Sequence, residues 1–150
     1  MENQTDIKVF RLTNRIRTNA ELSTFIQNMM HLPPRMNSRG YPHIFVVYAN
    51  DDVEAENLLS DYIKQGYQWV EIEESERQEA QAVRDMDKIV LLLDERYYYD
   101  EEGYLRAACF MKNGSSYVRK IFHRLNHAKE SIALVVKKNE KVYNTLLELL

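Results

Sequence analysis

The segment Lys88–Leu105 reads KIVLLLDERYYYDEEGYL and decides how the rest of the chain is interpreted. It begins with five consecutive aliphatic residues, Ile89–Leu93, a run that is too short for a buried helix and is bounded by charged residues. Such a run is typical of a central parallel strand buried on both faces. Asp94 and Glu95 follow at its carboxyl end, before three tyrosines and an acidic turn. Because open α/β sheets bind their ligands beyond the carboxyl ends of strands, this segment is the first candidate for a functional site.

The composition is that of an ordinary soluble globular chain. With 150 residues, 45% hydrophobic and 29% charged, it predicts one domain over residues 1–150 with a sizeable core. The formal net charge of −3 gives no general attraction to nucleic acid or to a membrane surface. The single cysteine, Cys109, favours a buried, inert thiol in a reducing compartment. The polar start MENQTDIK and the lack of an 18-residue apolar run predict a cytoplasmic protein without a membrane anchor.

Periodic apolar residues divide the sequence upstream of this segment into strands and helices. Three stretches have the composition of strands: Asp6–Leu12, His43–Ala49 and Tyr67–Ile72. One helix is predicted to start at Thr18, where Glu21 completes a capping box, and Asn50-Asp51-Asp52 supplies the N-cap of a second one. Each has apolar residues at helical spacing on one buried face: Leu22, Phe25, Ile26 and Met29 in the first helix, and Ala55, Leu58, Leu59, Tyr62 and Ile63 in the second. Gly66 is placed to end the second helix in a left-handed cap.

Downstream, the sequence predicts a loop, a helix, a strand and a closing helix. Tyr97–Gly114 is predicted to be a long irregular loop, of a length that is usually functional or mobile. Ser115 or Ser116 caps the next helix. That helix is expected to bury four side chains: Val118, Ile121, Phe122 and Leu125. Ser131–Val136 is the last strand and Lys138–Leu150 the last helix. This alternation predicts an α/β fold, a three-layer sandwich in which helices cover both faces of a mostly parallel, five-stranded sheet.

The acids that follow the central strand are candidates for a metal site. Asp94, Glu95 and the acidic turn at 100–102 offer the oxygen ligands that Mg²⁺ takes in proteins. The simpler interpretation, which we favour, is a solvated turn in which Asp94 caps the end of the strand. A metal-dependent phosphodiesterase that uses Asp94 and Glu95 is therefore a minor alternative.

Two histidines stand four residues apart on the predicted third helix. His123 and His127 would share one helix face, as metal ligands can. The glutamate that a zinc hydrolase carries between such histidines is absent. Arg124 and Lys129 would also repel a cation. A pair of surface histidines is the simpler interpretation, and no metal is expected.

The same helix is basic and has no acidic residue between positions 115 and 129. Its cations are Arg119, Lys120, Arg124 and Lys129. The spacing predicts an outer face made of Lys120, His123, Arg124 and His127, which suits a phosphate backbone or an acidic partner. A solvated helix face is the simpler alternative. Nearby, Tyr97, Tyr98 and Tyr99 offer rings on which bases stack, although alternation predicts that at least one of them packs into the core.

Motifs for nucleotide binding and for nucleophilic catalysis are absent from the sequence. It contains no GxxxxGK[ST] phosphate loop, no GxGxxG and no nucleophile elbow, and only four glycines. The chain therefore has no motif with which to bind a nucleoside triphosphate unaided, and no cofactor is expected.

Three segments together resemble a known family, and they span nearly the whole chain. Residues 83–107, VRDMDKIVLLLDERYYYDEEGYLRA, resemble the tail REYD-x-VVVxLD-x-x-FYYDE-x-G-x-L of the carboxyl-terminal RecA-like lobe of superfamily 1 (UvrD-like) helicase ATPases. RIRTNAELSTFI, at 15–26, is similar to that family's R-x-N-x-E-L-x-x-F-I segment. RLNHAKESIALVVKKNEKVYNTLLEL, at 124–149, is similar to its ending LTRA-[RK]-E-x-x-x-[LI]-VVxxNxxLFxxLL.

The resemblance implies a freestanding RecA-like second lobe, without a phosphate loop, whose catalytic groups have decayed. In that family the TRA arginine reaches the γ-phosphate of a nucleotide bound by the other lobe. His127 stands at its place, and a neutral imidazole cannot reproduce a charged planar fork. Arg17 matches a phosphate-sensing arginine, and Lys129 matches the basic residue after TRA. Arg17, His127 and Lys129 are thus the positions implied to contact a nucleotide in trans.

These observations support two hypotheses about function. The first is a non-catalytic interaction module whose partner is another protein, such as a helicase-like ATPase lobe or a nuclease complex, with nucleic acid as a co-ligand. Its expected surfaces are the basic helix face, where Arg119, Lys120, His123 and Arg124 lie, and the Tyr97–Tyr104 loop. The second is the trans-acting half of a split nucleic-acid-dependent ATPase. The isolated chain should hydrolyse nothing under either hypothesis.

Overall fold

Strands alternate with helices along the part of the chain that the structure, a computed structural model, describes: residues 20–34, 41–70, 86–108 and 116–150. Helix α1 covers residues 20–30. The elements that follow are β1 (Ile44–Ala49), α2 (Asp52–Lys64), β2 (Gln68–Trp69), β3 (Met86–Leu93), β4 (Tyr97–Tyr99), β5 (Leu105–Ala107), α3 (Tyr117–Leu125), β6 (Ala128–Lys137) and α4 (Glu140–Leu149). No helix within these ranges is both long enough and apolar enough to cross a membrane.

Four strands form one parallel sheet in the order β1-β6-β3-β2. β3 and β6 lie at its centre, in a register that pairs Ile89 with Ile132 and Leu91 with Leu134. The aliphatic run in β3 is buried from both sides, which confirms the prediction of a central parallel strand. β6 is buried throughout 131–136 and extends beyond the predicted strand at both ends.

Helices cover both faces of this sheet. Because successive side chains of a strand point to opposite faces, Ile89 and Ile132 pack in a cluster with residues of α1, α3 and α4, such as Phe25. Val90 and Ala133 pack in a second cluster, against α2. The result is a three-layer α/β sandwich, as predicted, and each fully buried aliphatic side chain contributes about 1.5–3 kcal/mol to its stability.

The predicted helix ends of the first half are confirmed where the structure describes them. Asp51 is the N-cap of α2, because its Oδ1 accepts a hydrogen bond from the backbone N–H of Glu54 at 2.8 Å. The Glu54 carboxylate in turn accepts from the backbone N–H of Asn50, the residue before the cap, at 2.8 Å. Gly66 follows α2 with φ +98°, the left-handed conformation that a glycine cap adopts.

Several predictions of the sequence fall outside the described residues. These are the first strand Asp6–Leu12, the helix cap at Thr18, Arg17 and Cys109. The fifth strand of the predicted sheet therefore stays a prediction. Of the predicted strand Tyr67–Ile72, the structure shows Gln68–Trp69 paired with β3.

The prediction of an irregular loop over Tyr97–Gly114 is wrong, because its first half is a β-hairpin. β4 and β5 pair antiparallel, with Tyr98 opposite Arg106. Three tyrosines in succession show no alternation of residue type, which is why the sequence gives no strand pattern here. Their side chains nevertheless alternate: Tyr97 is buried, Tyr98 is exposed and Tyr99 is intermediate.

The predicted inner face of α3 is also wrong in part. Ile121 and Leu125 are fully buried as expected, but Phe122 is 40% exposed. Tyr117 and Arg124 complete the inner face instead, and Arg124 is only 5% exposed. Tyrosine and arginine both carry a polar tip on a largely apolar side chain and can therefore be buried as well as exposed. The spacing of apolar residues alone thus did not decide which face of this helix is buried.

Candidate functional site

The tip of the β4–β5 hairpin is closed by one carboxylate. Asp100 Oδ1 accepts hydrogen bonds from the backbone N–H groups of Glu102, at 3.0 Å, and Tyr104, at 2.9 Å. Its Oδ2 accepts from Nε of Arg106 at 2.9 Å. These bonds lower the pKa of Asp100, with the Arg106 bond as the largest cause. The carboxylate of Asp100 therefore orders the turn, while Glu101 and Glu102 are exposed to solvent.

The same tip is attached to the segment that follows α1. The imidazole of His31 stacks on the ring of Tyr104, with centroids 3.9 Å apart and an interplanar angle of 7°. The backbone N–H of Leu32 donates to the carbonyl of Gly103 at 2.8 Å. Gly103 has φ +87°, and a Cβ placed there would lie 3.3 Å from Cβ of Leu32. A side chain at position 103 would therefore have to push Leu32 away slightly, in addition to the strain of a positive φ, so a glycine suits both the turn and the close approach.

The hairpin is attached at two further points, one at the end of β4 next to the turn and one at its base. The hydroxyl of Tyr99 donates to the carbonyl of Met29 at 2.7 Å, and burial raises the pKa of this hydroxyl. The side-chain amide of Asn139 donates to the carbonyls of Asp94, at 3.0 Å, and Tyr97, at 2.7 Å. Contacts with α1 and with the start of α4 therefore fix the hairpin at both ends.

An open groove of about 810 Å³ lies between this hairpin and α3. We call it the hairpin–α3 groove. It is lined by Met30, Tyr98, Tyr104, Leu105, Arg106, Ala107, Ser116, Val118, Arg119 and Phe122. Most of these side chains are apolar or aromatic, the two charged ones are arginines, and none of the described residues that line the groove is acidic.

The sequence predicted part of this groove and missed the rest. Tyr98 and Arg119 were expected at a binding surface, and both line it. Phe122 was expected in the core, Tyr104 was expected only as the end of the Tyr97–Tyr104 loop, and Met30 and Arg106 were not singled out. Met30 and Phe122 are distant in the sequence, so only the tertiary structure brings them together. Tyr97 lies in the core, as alternation predicts for at least one of the three tyrosines.

The predicted basic face of α3 is divided by the orientation of the helix. Arg119 and His123 are exposed and Lys120 is partly buried, whereas Arg124 is buried. The rings of His123 and His127 meet edge to face with centroids 5.2 Å apart. The described part of the chain therefore does not present these residues as one continuous stripe.

The carboxylate of Asp94 is held by an arginine. Asp94 Oδ1 accepts from Nε of Arg96 and its Oδ2 lies against a terminal nitrogen of the same guanidinium, both at 2.9 Å. Glu95, the second weak metal candidate, is exposed. Among the described residues, no three His, Cys, Asp or Glu side chains come together as a metal site would require.

The carboxyl edge of the sheet contains a second ion pair. β1 and β6 are neighbours, and α2 and α4, which follow them, lie on opposite faces. Such a point is where open α/β sheets bind ligands. Here Nζ of Lys137 lies 2.6 Å from Oδ1 of Asp52, which lowers the pKa of Asp52 and raises that of Lys137. The two charges compensate each other, so neither of these side chains is available to a ligand without breaking the ion pair.

A smaller pocket of about 230 Å³ lies at the opposite edge, where β6 begins. It is lined by Leu22, Ser23, Ile26, Asn126, Ala128 and Lys129. Lys129, one of the three residues implied to contact a nucleotide in trans, thus lies beside α1. His127 is in the turn that precedes β6, and Arg17 lies outside the described residues.

Comparison with known proteins gives no relative from which a function can be transferred: no family model, no curated protein and no solved structure matches the chain. The hairpin–α3 groove, with its aromatic lining and two arginines, is consequently identified on geometry alone.

Proposed function

We propose that this chain is a non-catalytic interaction module, with the shape of a helicase second lobe, that binds another protein in the hairpin–α3 groove. The observation that carries the proposal is the exposure of large aromatic side chains in a groove whose walls are fixed. Tyr98 is 48% exposed and Phe122 40% exposed, and both line the groove. Aromatic side chains, methionine and arginine are the types that protein interfaces enrich.

The rigidity of the hairpin supports the proposal. A surface loop of this length would lose conformational entropy on binding, whereas a fixed surface has little to lose. The hydrogen bonds of Asp100 hold the turn, that of Tyr99 holds the end of β4 next to the turn, and those of Asn139 hold the base. A partner would therefore meet a preformed surface.

A protein partner fits the groove better than a single nucleic-acid strand does. Proteins that bind single-stranded nucleic acid without sequence preference offer aromatic faces on which bases stack, together with a positively charged groove that follows the backbone. The ring of Tyr104 is already stacked by His31, and the guanidinium of Arg106 lies over it at 5.3 Å. Arg106 is in turn paired with Asp100, which reduces the cationic character of the groove. Nucleic acid is therefore at most a co-ligand in this proposal.

The proposal is tested with a matched pair of phenylalanine variants. Affinity purification from the native host supplies candidate partners, of which a helicase-like ATPase is the first choice, and calorimetry with the purified partner measures Kd. Phe122→Ala should weaken binding about tenfold or more, as loss of a central aromatic anchor does. Phe45→Ala removes a ring of similar exposure, 44%, which does not line the groove, and should bind like wild type. Equal affinities of the two variants would refute the proposal.

A second candidate function, one half of a split ATPase, is supported by the pocket beside Lys129. Its volume of about 230 Å³ is below the roughly 300–1,000 Å³ of a complete ligand site. A nucleotide held mainly by another lobe would present only part of itself here. ATP turnover should then appear when the chain is mixed with a phosphate-loop lobe and fall in Lys129→Ala. Turnover that is the same with and without this chain would exclude the candidate.

A further inference from the structure

We infer that the partner enters the hairpin–α3 groove as a short segment, in which a bulky apolar side chain lies close to an acidic one that pairs with Arg119. This inference rests on the proposed function, and it adds the length and the charge of the segment that binds. Three features of the groove carry it.

The first feature is an apolar lining that suits one large side chain. Met30, Val118 and Phe122 contribute apolar surface from α1 and α3, and Leu105 and Ala107 contribute it from β5. One anchored leucine or phenylalanine side chain would be removed from water against this lining, which favours binding in proportion to the apolar area that is buried. An apolar anchor is therefore the first requirement for the segment.

The second feature is the difference between the two arginines. Arg106 is paired with Asp100 at 2.9 Å. Arg119 is exposed and, within the part of the chain that is described, has no acidic partner. No residue of α3 is acidic. A carboxylate of the partner could therefore pair with the Arg119 guanidinium without breaking an existing ion pair. Arg106 is a second cationic group in the same groove.

The third feature is the short length of the groove along α3. Its lining residues on this side run from Ser116 to Phe122. At 1.5 Å per residue, six helical steps span about 9 Å. An extended chain covers this distance in about three residues, at roughly 3.3 Å each. The apolar anchor and the acid should therefore be separated by no more than about two residues, and the small contact area predicts a micromolar Kd.

The experiment is a selection with a phage-displayed library of random 12-residue peptides on the immobilised wild-type chain. We expect enriched peptides to share one bulky apolar residue with Asp or Glu one to three positions away. A synthetic peptide of the enriched sequence, labelled with fluorescein, is then titrated against each variant by fluorescence anisotropy. No enrichment, or enrichment of apolar peptides without an acid, overturns the inference.

A charge exchange identifies the partner of the acid. Arg119→Glu should weaken the acidic peptide about tenfold or more, and replacing the peptide's acid by lysine should restore binding to within about threefold. Lys64→Glu, a reversal at an exposed lysine in α2, serves as the control and should leave Kd unchanged. Equal thermal unfolding of Arg119→Glu and wild type excludes a folding defect. If the lysine peptide fails to recover affinity, the pairing with Arg119 is wrong.

Phe122→Ala separates failure of this inference from failure of the proposed function. If the enriched peptides lose affinity for Phe122→Ala but carry no acidic residue, the groove is still a binding site. That outcome refutes only the acidic residue of the partner. Peptides that bind Phe122→Ala as well as wild type do not occupy the groove, and they overturn the inference together with the proposed function. Displacement of the labelled peptide by a single-stranded oligonucleotide would assign the groove to nucleic acid instead.

Discussion

The side-chain amide of Asn139 donates a hydrogen bond to the backbone carbonyl of Tyr97, with a distance of 2.7 Å between the two atoms. The same nitrogen donates to the carbonyl of Asp94 at 3.0 Å. The amide oxygen accepts from the backbone N–H of Val142 and thereby caps α4. One side chain thus joins the end of β3, the start of the hairpin and the first turn of the last helix.

Replacing this residue should separate its two roles. Asn139→Ala loses the helix cap and both hydrogen bonds to carbonyls, and should lower the free energy of unfolding by about 2–3 kcal/mol. Asn139→Ser can still cap the helix and should cost about 1 kcal/mol less. Urea unfolding followed by circular dichroism measures both values. A loss below about 0.5 kcal/mol in Asn139→Ala would mean that this residue does not anchor the hairpin.

Two glycines with positive φ should respond differently to alanine. Gly66, at φ +98°, has open space around the position of a Cβ, whereas at Gly103, φ +87°, a Cβ would meet Leu32 at 3.3 Å. Gly66→Ala therefore has only backbone strain to overcome, about 1–2 kcal/mol. Gly103→Ala should cost about 1 kcal/mol more, because the hairpin tip must move away from Leu32. Equal losses of unfolding free energy in the two variants would contradict this account.

How much of this fold the sequence predicts depends on how local the signal is. The aliphatic run at Ile89–Leu93 and an N-cap within Asn50-Asp51-Asp52 are encoded by neighbouring residues, and the structure confirms both, with Asp51 as the cap. The hairpin was not predicted, because consecutive tyrosines carry no alternation that distinguishes a strand from a loop. The face of α3 was misassigned at Phe122 and Arg124, since tyrosine and arginine can bury an apolar body as well as expose a polar tip.

The candidate site was even less accessible to the sequence. Tyr98 and Arg119 were identified as surface residues through their type, but the groove depends on Met30 from α1 and Leu105 from β5, which only tertiary packing brings beside Phe122. Whether the Asp94 carboxylate is available to a metal also depends on a contact that the sequence did not reveal. This carboxylate is bound by Arg96, two residues away, and the sequence alone did not indicate that this cation folds back.

The pKa of Asp100 gives the hairpin tip a defined response to pH. This pKa lies below its ordinary value, first because Arg106 donates to the carboxylate and then because the backbone N–H of Tyr104 does. The bonds to the ionised carboxylate therefore stabilise the tip fully at pH values above the unfolded-state pKa of about 3.9. This stabilisation is lost as the pH falls through the lower pKa of the folded state. Binding in the adjacent groove should weaken over the same acidic range.

Amide chemical shifts report this titration directly. The amide resonances of Glu102 and Tyr104, which donate to Asp100, should titrate together with a midpoint below about pH 3.9. Asp100→Asn should abolish the titration. The amide of Gly66 donates to the carbonyl of Ile63 and serves as a reference. A midpoint at or above 3.9, or an unchanged titration in Asp100→Asn, would remove Asp100 from this role.

A buried polar pair, Tyr67 and Ser131, links the two edges of the sheet. The two hydroxyl oxygens lie 2.6 Å apart, and Ser131 Oγ lies 2.8 Å from the carbonyl of His43. A carbonyl can only accept, so Ser131 donates to His43, and Tyr67 must then donate to Ser131. The relay connects the residue before β2 to β6 and to the residue before β1.

The direction of this relay predicts which hydroxyl matters more for stability. Tyr67→Phe removes one bond but leaves Ser131 able to donate to His43, and should cost about 0.5–1.5 kcal/mol. Ser131→Ala leaves the Tyr67 hydroxyl buried without its acceptor and should cost about 1–3 kcal/mol. The double variant should cost less than the sum of the two, because it also removes the stranded donor. Unfolding free energies from urea titrations decide the matter: a larger loss in Tyr67→Phe than in Ser131→Ala, or strict additivity, would show that the hydrogen bonds do not run in this direction.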